Sequence, residues 1–177
     1  HKVCENEIGK FEPQNMRNSY PIGKIASENL CCGYAKEYGI PAMSVRLTQT
    51  FGAGVNYNDT RVFAYFARCV KEKKNIVLKT KGETERCYLY TTDAATAILT
   101  VLLNGKAGEI YNAADGNTYC SIAEMAEKVA ADGGIKVEYD IQDIVANGFP
   151  DTLYMDLNTN KLKQLGWCVH SGGHKPD

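Results

Sequence analysis

The residues most able to support chemistry by type and spacing are Tyr20 and Lys24, which lie four positions apart. In a helix that spacing places both side chains on one face, one turn apart. A phenol has a pKa of about 10, and a neighbouring ammonium group favours the phenolate and lowers that pKa. The phenolate can then accept a hydroxyl proton while a hydride leaves the carbon. Alone the pair is a weak signal, because composition predicts about one such pair by chance, and a Tyr packed on a surface Lys has the same spacing.

The element that must carry this pair is a helix predicted over residues 19–38. Apolar residues recur every fourth position near one face of it. They are Ile22, Ala26, Leu30 and Tyr34. Pro21 suits a first turn, and Gly39 ends the helix. A short apolar strand over 42–47 follows, of a kind suited to burial on both faces.

Beyond residue 50, short strands and amphipathic helices alternate. Helices are predicted from Asp59 to 73, over 93–103 and from a capping box at Ser121 and Glu124 to 133, with a last short helix after Asn158 or Thr159. Strands are predicted at 76–78, 88–90, 109–112 and 137–139. This alternation predicts an α/β fold with parallel strands and a small interleaved lobe.

Composition narrows the class of protein. The chain has 177 residues with 20 basic and 21 acidic side chains, a net charge of −1, which argues against a nucleic-acid or polybasic membrane binder. Its apolar runs are too short to span a bilayer. The seven cysteines include no C-x-x-C pair, so we expect reduced thiols in a cytoplasmic protein and no metal site.

Five segments in order carry a resemblance to a known family. They are the Tyr20–Lys24 pair, V-R-L-T-Q-T-F-G-A-G at 45–54, R-C-Y-L-Y-T-T-D at 86–93, Y-N-A-A at 111–114 and K-L-K-Q-L-G-W at 161–167. Together they resemble the extended short-chain dehydrogenase/reductase family, in the branch of nucleotide-sugar epimerases, 4,6-dehydratases and decarboxylases. Each motif is weak alone, but the order and the spacing are specific.

The resemblance implies a Rossmann-type parallel sheet with an interleaved α/β substrate-binding lobe. Residues 1–50 would end the NAD-binding domain, and 51–177 would form the lobe, with about 93–112 returning to the Rossmann core. The family's glycine-rich turn, where the cofactor pyrophosphate meets a helix, has no match in this sequence. Gly52-Ala53-Gly54 is no substitute, because no helix follows it directly. We therefore expect these residues to be the C-terminal half of a longer enzyme.

The resemblance also assigns roles residue by residue. Tyr20 would be the catalytic base, and Lys24 would lower its pKa and bind the nicotinamide ribose. Thr48 lies where the family touches the nicotinamide end of NAD. Gln49 replaces a family Asn that contacts the sugar diphosphate. Arg86 would pair with that diphosphate, since a planar guanidinium matches paired oxygens.

Two further arginines lie in or near these segments. Arg61 is a candidate for positioning the substrate, but a solvated arginine in a first helical turn fits equally well. Arg46 is expected to form a structural ion pair. The family often has an Arg before its last helix, and the segment 151–154 has none.

These expectations combine into one function and two rivals. The parent protein would be a cytoplasmic NAD-dependent enzyme that oxidises a nucleoside-diphosphate sugar at C4, as a homodimer through the helix over 19–38. The isolated chain would be inactive. The rivals are a non-enzymatic nucleotide-sugar-binding module and an inactive truncated chain. A glycine-rich Rossmann segment upstream in the same gene would distinguish among them.

Overall fold

A computed structural model describes residues 1–143 and 152–170. A 3₁₀ turn (Met16–Asn18) precedes the first of five α-helices: α1 (Ser19–Tyr38), α2 (Val62–Glu72), α3 (Thr91–Asn104), α4 (Ile122–Gly133) and α5 (Asn160–Lys163). The strands are β1 (Ser44–Leu47), β2 (Gln49–Phe51), β3 (Ile76–Leu78), β4 (Glu85–Tyr90), β5 (Ile110–Ala113), β6 (Asp115–Ser121), β7 (Val137–Tyr139) and β8 (Tyr154–Met155).

The strands form three sheets within the described residues. β1 pairs with β5, and β3 pairs with β7, both in parallel. The third sheet has the order β2-β4-β6, with β8 also paired to β4. Its pairs are parallel except β4–β6, which is antiparallel. The predicted α/β class with parallel strands is therefore confirmed, and β6 is an addition that the sequence pattern did not indicate.

Two main clusters of buried side chains hold these elements together. The first joins α3, β4 and β5 to α5 and the segment that follows it, through Leu89, Ala97, Tyr111, Leu162 and Trp167. The second joins α2 and α4 to β3 through Phe66, Cys69, Ile76, Leu78, Ala126 and Ala130. The predicted division at residue 50, with about 93–112 returning to the Rossmann core, stays a prediction; β1 pairs with β5, which begins in that returning segment.

Helix α1 has the predicted bounds and ends at Gly39, which adopts a left-handed conformation with φ 66°. No residue of this helix is fully buried. One contact with the rest of the chain is made by Cys32, whose thiol donates to the Gly108 carbonyl at 3.0 Å. Much of the predicted apolar stripe faces solvent: Leu30 is 60% exposed and Tyr34 51%. The stripe is therefore not part of this chain's core.

Two sequence predictions about local structure were wrong. β1 is only partly buried, because it has one paired neighbour, β5, among the described strands. Helix α2 begins at Val62 and not near Asp59, and its N-cap is Arg61. The Asp59 carboxylate instead accepts a hydrogen bond from the Arg61 backbone N–H at 2.9 Å. Asp59 thus folds the loop back before the helix starts.

A glycine fixes the loop that leads from β2 to α2. At Gly52 an added Cβ would overlap the Thr91 hydroxyl and the ring of Tyr90. This close approach to the start of α3 is possible only without a side chain. The loop that follows carries Thr60 and Arg61 to the site described next.

Candidate substrate and cofactor site

A cavity of about 200 Å³ opens between β2, β4 and the start of α2. We call it the basic cavity. Its lining residues are Gln49, Thr60, Arg61, Val62, Phe63, Arg86, Tyr88 and Ile122. The three residues that the sequence analysis assigned to substrate, Gln49, Arg61 and Arg86, therefore lie on one cavity. The parallel β2–β4 register explains part of this, because it places Gln49 beside Tyr88.

Arg86 lines this cavity and carries an unused hydrogen-bond donor. Its Nε is buried and has no hydrogen-bond partner among the described residues. An unpaired buried donor is costly, and a guanidinium group presents five N–H donors in a rigid fork. An anionic ligand with paired oxygens would satisfy the side chain. Arg86 is thus the residue of the cavity with the strongest requirement for a partner.

Arg61 is held in a fixed orientation. Its Nη2 lies 2.5 Å from Oδ2 of Asp59, and its guanidinium carbon lies 4.6 Å from the ring centroid of Phe63. The Arg61 side-chain hydrogen bond, followed by its backbone hydrogen bond, lowers the pKa of Asp59 to about 2. Both alternatives for Arg61 stay open, because the side chain is 50% exposed and its ion pair is with the neighbouring Asp59. Its role toward substrate stays a prediction.

The N-terminus of α2 adds a feature that the sequence analysis missed. The first backbone N–H groups of a helix have no intrahelical partner, and they carry the positive end of the helix dipole. Here the N-cap residue Arg61 makes no side-chain cap, and Thr60, Val62 and Phe63 line the cavity. Helix N-termini of this kind favour phosphate groups. Because helix α2 was predicted to start near Asp59, its true first turn was not identified.

Aromatic side chains form one wall of the basic cavity. Phe51 stacks on Phe63 with ring centroids 4.7 Å apart, and it meets Tyr88 edge-on at 5.7 Å. Such pairs contribute stability beyond the burial of area alone. Phe63 and Tyr88 line the basic cavity, and Phe51 packs against both of them. No local sequence signal joins three residues so far apart.

Thr48, assigned to the nicotinamide end of NAD, is buried between two sheets. Its hydroxyl donates to the Cys87 carbonyl at 2.6 Å, and its backbone N–H donates to the Ala113 carbonyl at 3.1 Å. The side chain thereby links the end of β1 to β4. A contact with cofactor would have to coexist with that bond, and the assignment stays a prediction.

Tyr20 and Lys24 lie on the first two turns of α1, as their spacing predicted. The Lys24 Nζ is 5.4 Å from the centroid of the Tyr20 ring. Tyr20 is 74% exposed. Neither residue is among the described residues that line the basic cavity. The pair thus has the geometry for mutual electrostatic influence, but it is not desolvated within this chain.

An ion pair fixes α1 against β1. Nε and Nη2 of Arg46 each lie 2.7 Å from a carboxylate oxygen of Glu28, and Nη1 donates to the Glu5 carbonyl at 3.0 Å. This bidentate pair confirms the structural role predicted for Arg46. Glu28 lies one helical turn beyond Lys24, so the Arg46–Glu28 ion pair holds the part of α1 that carries the candidate catalytic residues.

Other candidate features of the sequence remain unassigned. All seven cysteines are unpaired. The Cys168 thiol lies 3.6 Å from Nε2 of His170, and His174 lies outside the described residues. Within residues 1–143 and 152–170, no cluster of three metal-ligating side chains is present. The same residues contain no helix long and apolar enough to cross a membrane.

Comparison with known proteins identifies the family to which this chain belongs. Residues 3–114 match the model of the NAD dependent epimerase/dehydratase family. Human dTDP-D-glucose 4,6-dehydratase is 28% identical over 92% of this chain and 47% of its own length. UDP-glucuronic acid decarboxylase 6 of Arabidopsis thaliana is 25% identical over 94% of this chain and 48% of its own length.

Solved structures agree with this assignment at the level of the fold. The dTDP-glucose 4,6-dehydratase of Streptomyces venezuelae, crystallised with NAD, has a TM-score of 0.78 at 21% identity. The match covers 97% of this chain and 51% of the dehydratase chain. UDP-glucose 4-epimerase of Thermotoga maritima gives a TM-score of 0.78 at 22% identity, over 94% of this chain and 52% of its own. The chain therefore spans about half the length of these relatives, and it belongs to the NAD-dependent epimerase/dehydratase family.

Proposed function

We propose that this chain supplies the nucleotide-sugar site and the Tyr–Lys pair of an NAD-dependent enzyme that oxidises the sugar at C4. The observation that carries the proposal is the convergence of Gln49, Arg61 and Arg86 on one cavity at the open N-terminus of α2. Two guanidinium groups and free backbone N–H groups together favour a ligand with several anionic oxygens. The diphosphate of a nucleoside-diphosphate sugar meets that requirement.

The rest of the substrate would use the other surfaces of the basic cavity. Gln49 offers both an amide donor and an acceptor for hydroxyl groups. The aromatic wall of Phe63 and Tyr88 offers flat apolar surface to a ring. Such a mixture of apolar lining and a few convergent polar groups is typical of small-molecule sites.

The Tyr20–Lys24 pair fits the nicotinamide end of NAD. Within the described residues Lys24 has no carboxylate partner, and its ammonium group is free to donate to ribose hydroxyls. Bound NAD would accept the hydride from the sugar. Tyr20 would take the hydroxyl proton as the hydride leaves the sugar. The pyrophosphate and adenosine contacts of NAD would come from groups outside these 177 residues.

The proposal is limited to the oxidation step. The relatives named above catalyse dehydration, decarboxylation and epimerisation according to their names, so the product is left open. We place the reaction in the cytoplasm, on the support of seven unpaired cysteines.

We also propose that the enzyme is a homodimer through the exposed face of α1. Ala26, Leu30, Tyr34 and Tyr38 follow one another at four-residue intervals, and Leu30 and Tyr34 border an open apolar groove with Ile40 and Ala42. A twofold dimer places the same patch of each subunit in contact, which suits a single helix packed against its own copy. Burial of this patch would remove a large apolar surface from water.

Calorimetry on the isolated chain tests the nucleotide site. We expect UDP or dTDP to bind, because the basic cavity lies wholly within this chain. We expect NAD to bind far more weakly, because only its nicotinamide end would find partners. Absence of binding for both nucleoside diphosphates would refute the proposed substrate class. Micromolar NAD binding would refute the division of the cofactor site.

A further inference from the structure

The ladder between β4 and β6 is interrupted beside the basic cavity. Glu85 pairs with Ser121 and Arg86 with Cys120, but the next pair joins Tyr88 to Asp115. One residue of β4 is therefore opposite four residues of β6, 116–119. Bulges of this kind bend a strand and redirect its side chains, and they are common next to active sites.

A single hydroxyl group bridges this interruption. The Thr118 Oγ1 accepts a hydrogen bond from the Tyr88 backbone N–H at 2.7 Å. The same oxygen lies 2.7 Å from the Asp115 carbonyl and 3.0 Å from the Tyr88 carbonyl. A hydroxyl has one proton, so it donates to one of these carbonyls at a time. The side chain thus takes the place of a backbone group in the ladder.

The residue that Thr118 holds is part of the cavity wall. Tyr88 is 7% exposed, lines the basic cavity and contacts Phe51. Arg86, with its unpaired Nε, lies two residues earlier on the same strand and on the same face. Without the Thr118 hydroxyl, the Tyr88 N–H would lose this hydrogen bond and keep only its strand pairing with Asp115. Loss of a buried hydrogen bond is costly, so the backbone of β4 beside the basic cavity would be held less firmly.

We propose that Thr118 is a positioning residue for the substrate: it fixes the backbone of β4 so that Arg86 and Tyr88 meet the nucleoside diphosphate in the basic cavity. This inference rests on the proposed function of that cavity. Thr118 is not among the residues that line the basic cavity, so it acts through Tyr88.

Two substitutions of Thr118 distinguish the effect of its hydroxyl group from the effect of its side-chain shape. Thr118→Val keeps the shape and removes the acceptor, whereas Thr118→Ser keeps the hydroxyl. With UDP as the calorimetric probe, we expect Thr118→Val to weaken binding roughly tenfold, on the order of the loss of one buried hydrogen bond. Thr118→Ser should bind UDP within about twofold of the unchanged chain, since a serine hydroxyl can make the same bonds.

A control variant distinguishes positioning from general loss of stability. Val101→Ala removes buried volume from α3, in a cluster that does not include Thr118. It should lower the melting temperature but leave UDP affinity unchanged well below that temperature. Equal weakening in Thr118→Val and Val101→Ala would overturn the inference. Unchanged affinity in Thr118→Val would overturn it too, while the proposed function would stand.

Hydrogen exchange on the unchanged chain gives a test that needs no variant. The Tyr88 amide should be strongly protected, because it is buried and donates to Thr118. Exchange as fast as in an open loop would overturn the inference even if Thr118→Val failed to fold. An unchanged chain that binds neither UDP nor dTDP would refute the proposed function, and this inference with it.

Discussion

The basic cavity and the Tyr20–Lys24 pair differ in how far this chain completes them. The cavity is enclosed by residues from β2, β4 and α2, and its arginines are fixed or buried. The pair lies at the start of a helix with no fully buried residue, and Tyr20 is 74% exposed. The proposed binding site is therefore lined by this chain, whereas the proposed catalytic pair is open to water.

This difference has a physical consequence for the proposed reaction. A charge next to a phenol has a large effect only where water is excluded, because the attraction falls as the effective dielectric rises. At Tyr20 the structure provides the neighbouring charge but not the exclusion of water. Bound cofactor, substrate or a further part of the protein would have to provide it. The predictions below test whether the two regions can be separated by experiment.

Tyr20→Phe should give the largest effect of these variants. It should lower turnover and leave ligand binding unchanged. In the full-length protein the ring stays and the proton acceptor is lost, so turnover should fall by roughly 10²–10⁴-fold. Affinity for NAD and for UDP should be unchanged, since the basic cavity is untouched. Steady-state kinetics and calorimetry measure the two quantities.

A control for that variant is Tyr154→Phe, which removes a hydroxyl at a 63% exposed position on β8, outside the lining of the basic cavity. Turnover should then be close to that of the unchanged protein. Near-normal turnover in Tyr20→Phe would refute the proposed mechanism. It would leave the rival possibility of a binding module, because that alternative requires only the cavity.

Arg86→Ala should weaken ligand binding in the basic cavity and leave NAD binding unchanged. Loss of a charge-assisted hydrogen bond to an anion costs about 1.5–3 kcal/mol, so UDP affinity should fall roughly 10–100-fold. Affinity for NAD should change little. Lys79→Ala, which removes a cation outside the lining of the basic cavity, is the control and should leave UDP binding unchanged. If NAD affinity falls with UDP affinity unchanged, Arg86 belongs to the other site.

Leu30→Glu tests whether a second copy covers α1. A charge in a helix-to-helix interface would be buried without a partner, so the variant should be monomeric where the unchanged chain is a dimer. Leu102→Glu is a matched control, since Leu102 is 65% exposed on α3 against 60% for Leu30. Light scattering reads the mass directly. A 19.5 kDa monomer of the unchanged chain at high micromolar concentration would refute the dimer.

The fold could be predicted where local pattern determines it. The bounds of α1, its glycine stop and the capping box of Ser121 and Glu124 all follow from residues close in sequence, and all are present. β6 was not predicted, because D-G-N-T-Y-C-S has turn residues at its start and no alternation of apolar and polar side chains. It forms a strand through its pairing with β4 and the hydrogen bond that Thr118 accepts from the Tyr88 N–H, both of which are contacts distant in sequence.

Part of the candidate site could likewise be predicted from local sequence, and part depends on contacts distant in sequence. The spacing of Tyr20 and Lys24 predicted their contact, because both lie on one helix. The shared cavity of Gln49, Arg61 and Arg86 could be expected only from the resemblance, since three elements distant in sequence must meet to form it. The start of α2 was missed, because Asp59 has the residue type of an N-cap but pairs with Arg61 instead. That pairing gives the last and smallest prediction.

The Asp59 carboxyl should titrate with a pKa of about 2, below the ordinary value of about 3.9 for aspartate. Because the folded pKa is lowered, the pair's contribution to stability is complete above the unfolded pKa and is lost as pH falls through the folded one. Between pH 5 and 8 the contribution should therefore be constant. Carbon-detected NMR of the carboxyl measures the titration, and Arg61→Gln should return the pKa toward its ordinary value. A value near 4 in the unchanged chain would mean that Arg61 is not held by Asp59 and moves freely at the mouth of the basic cavity.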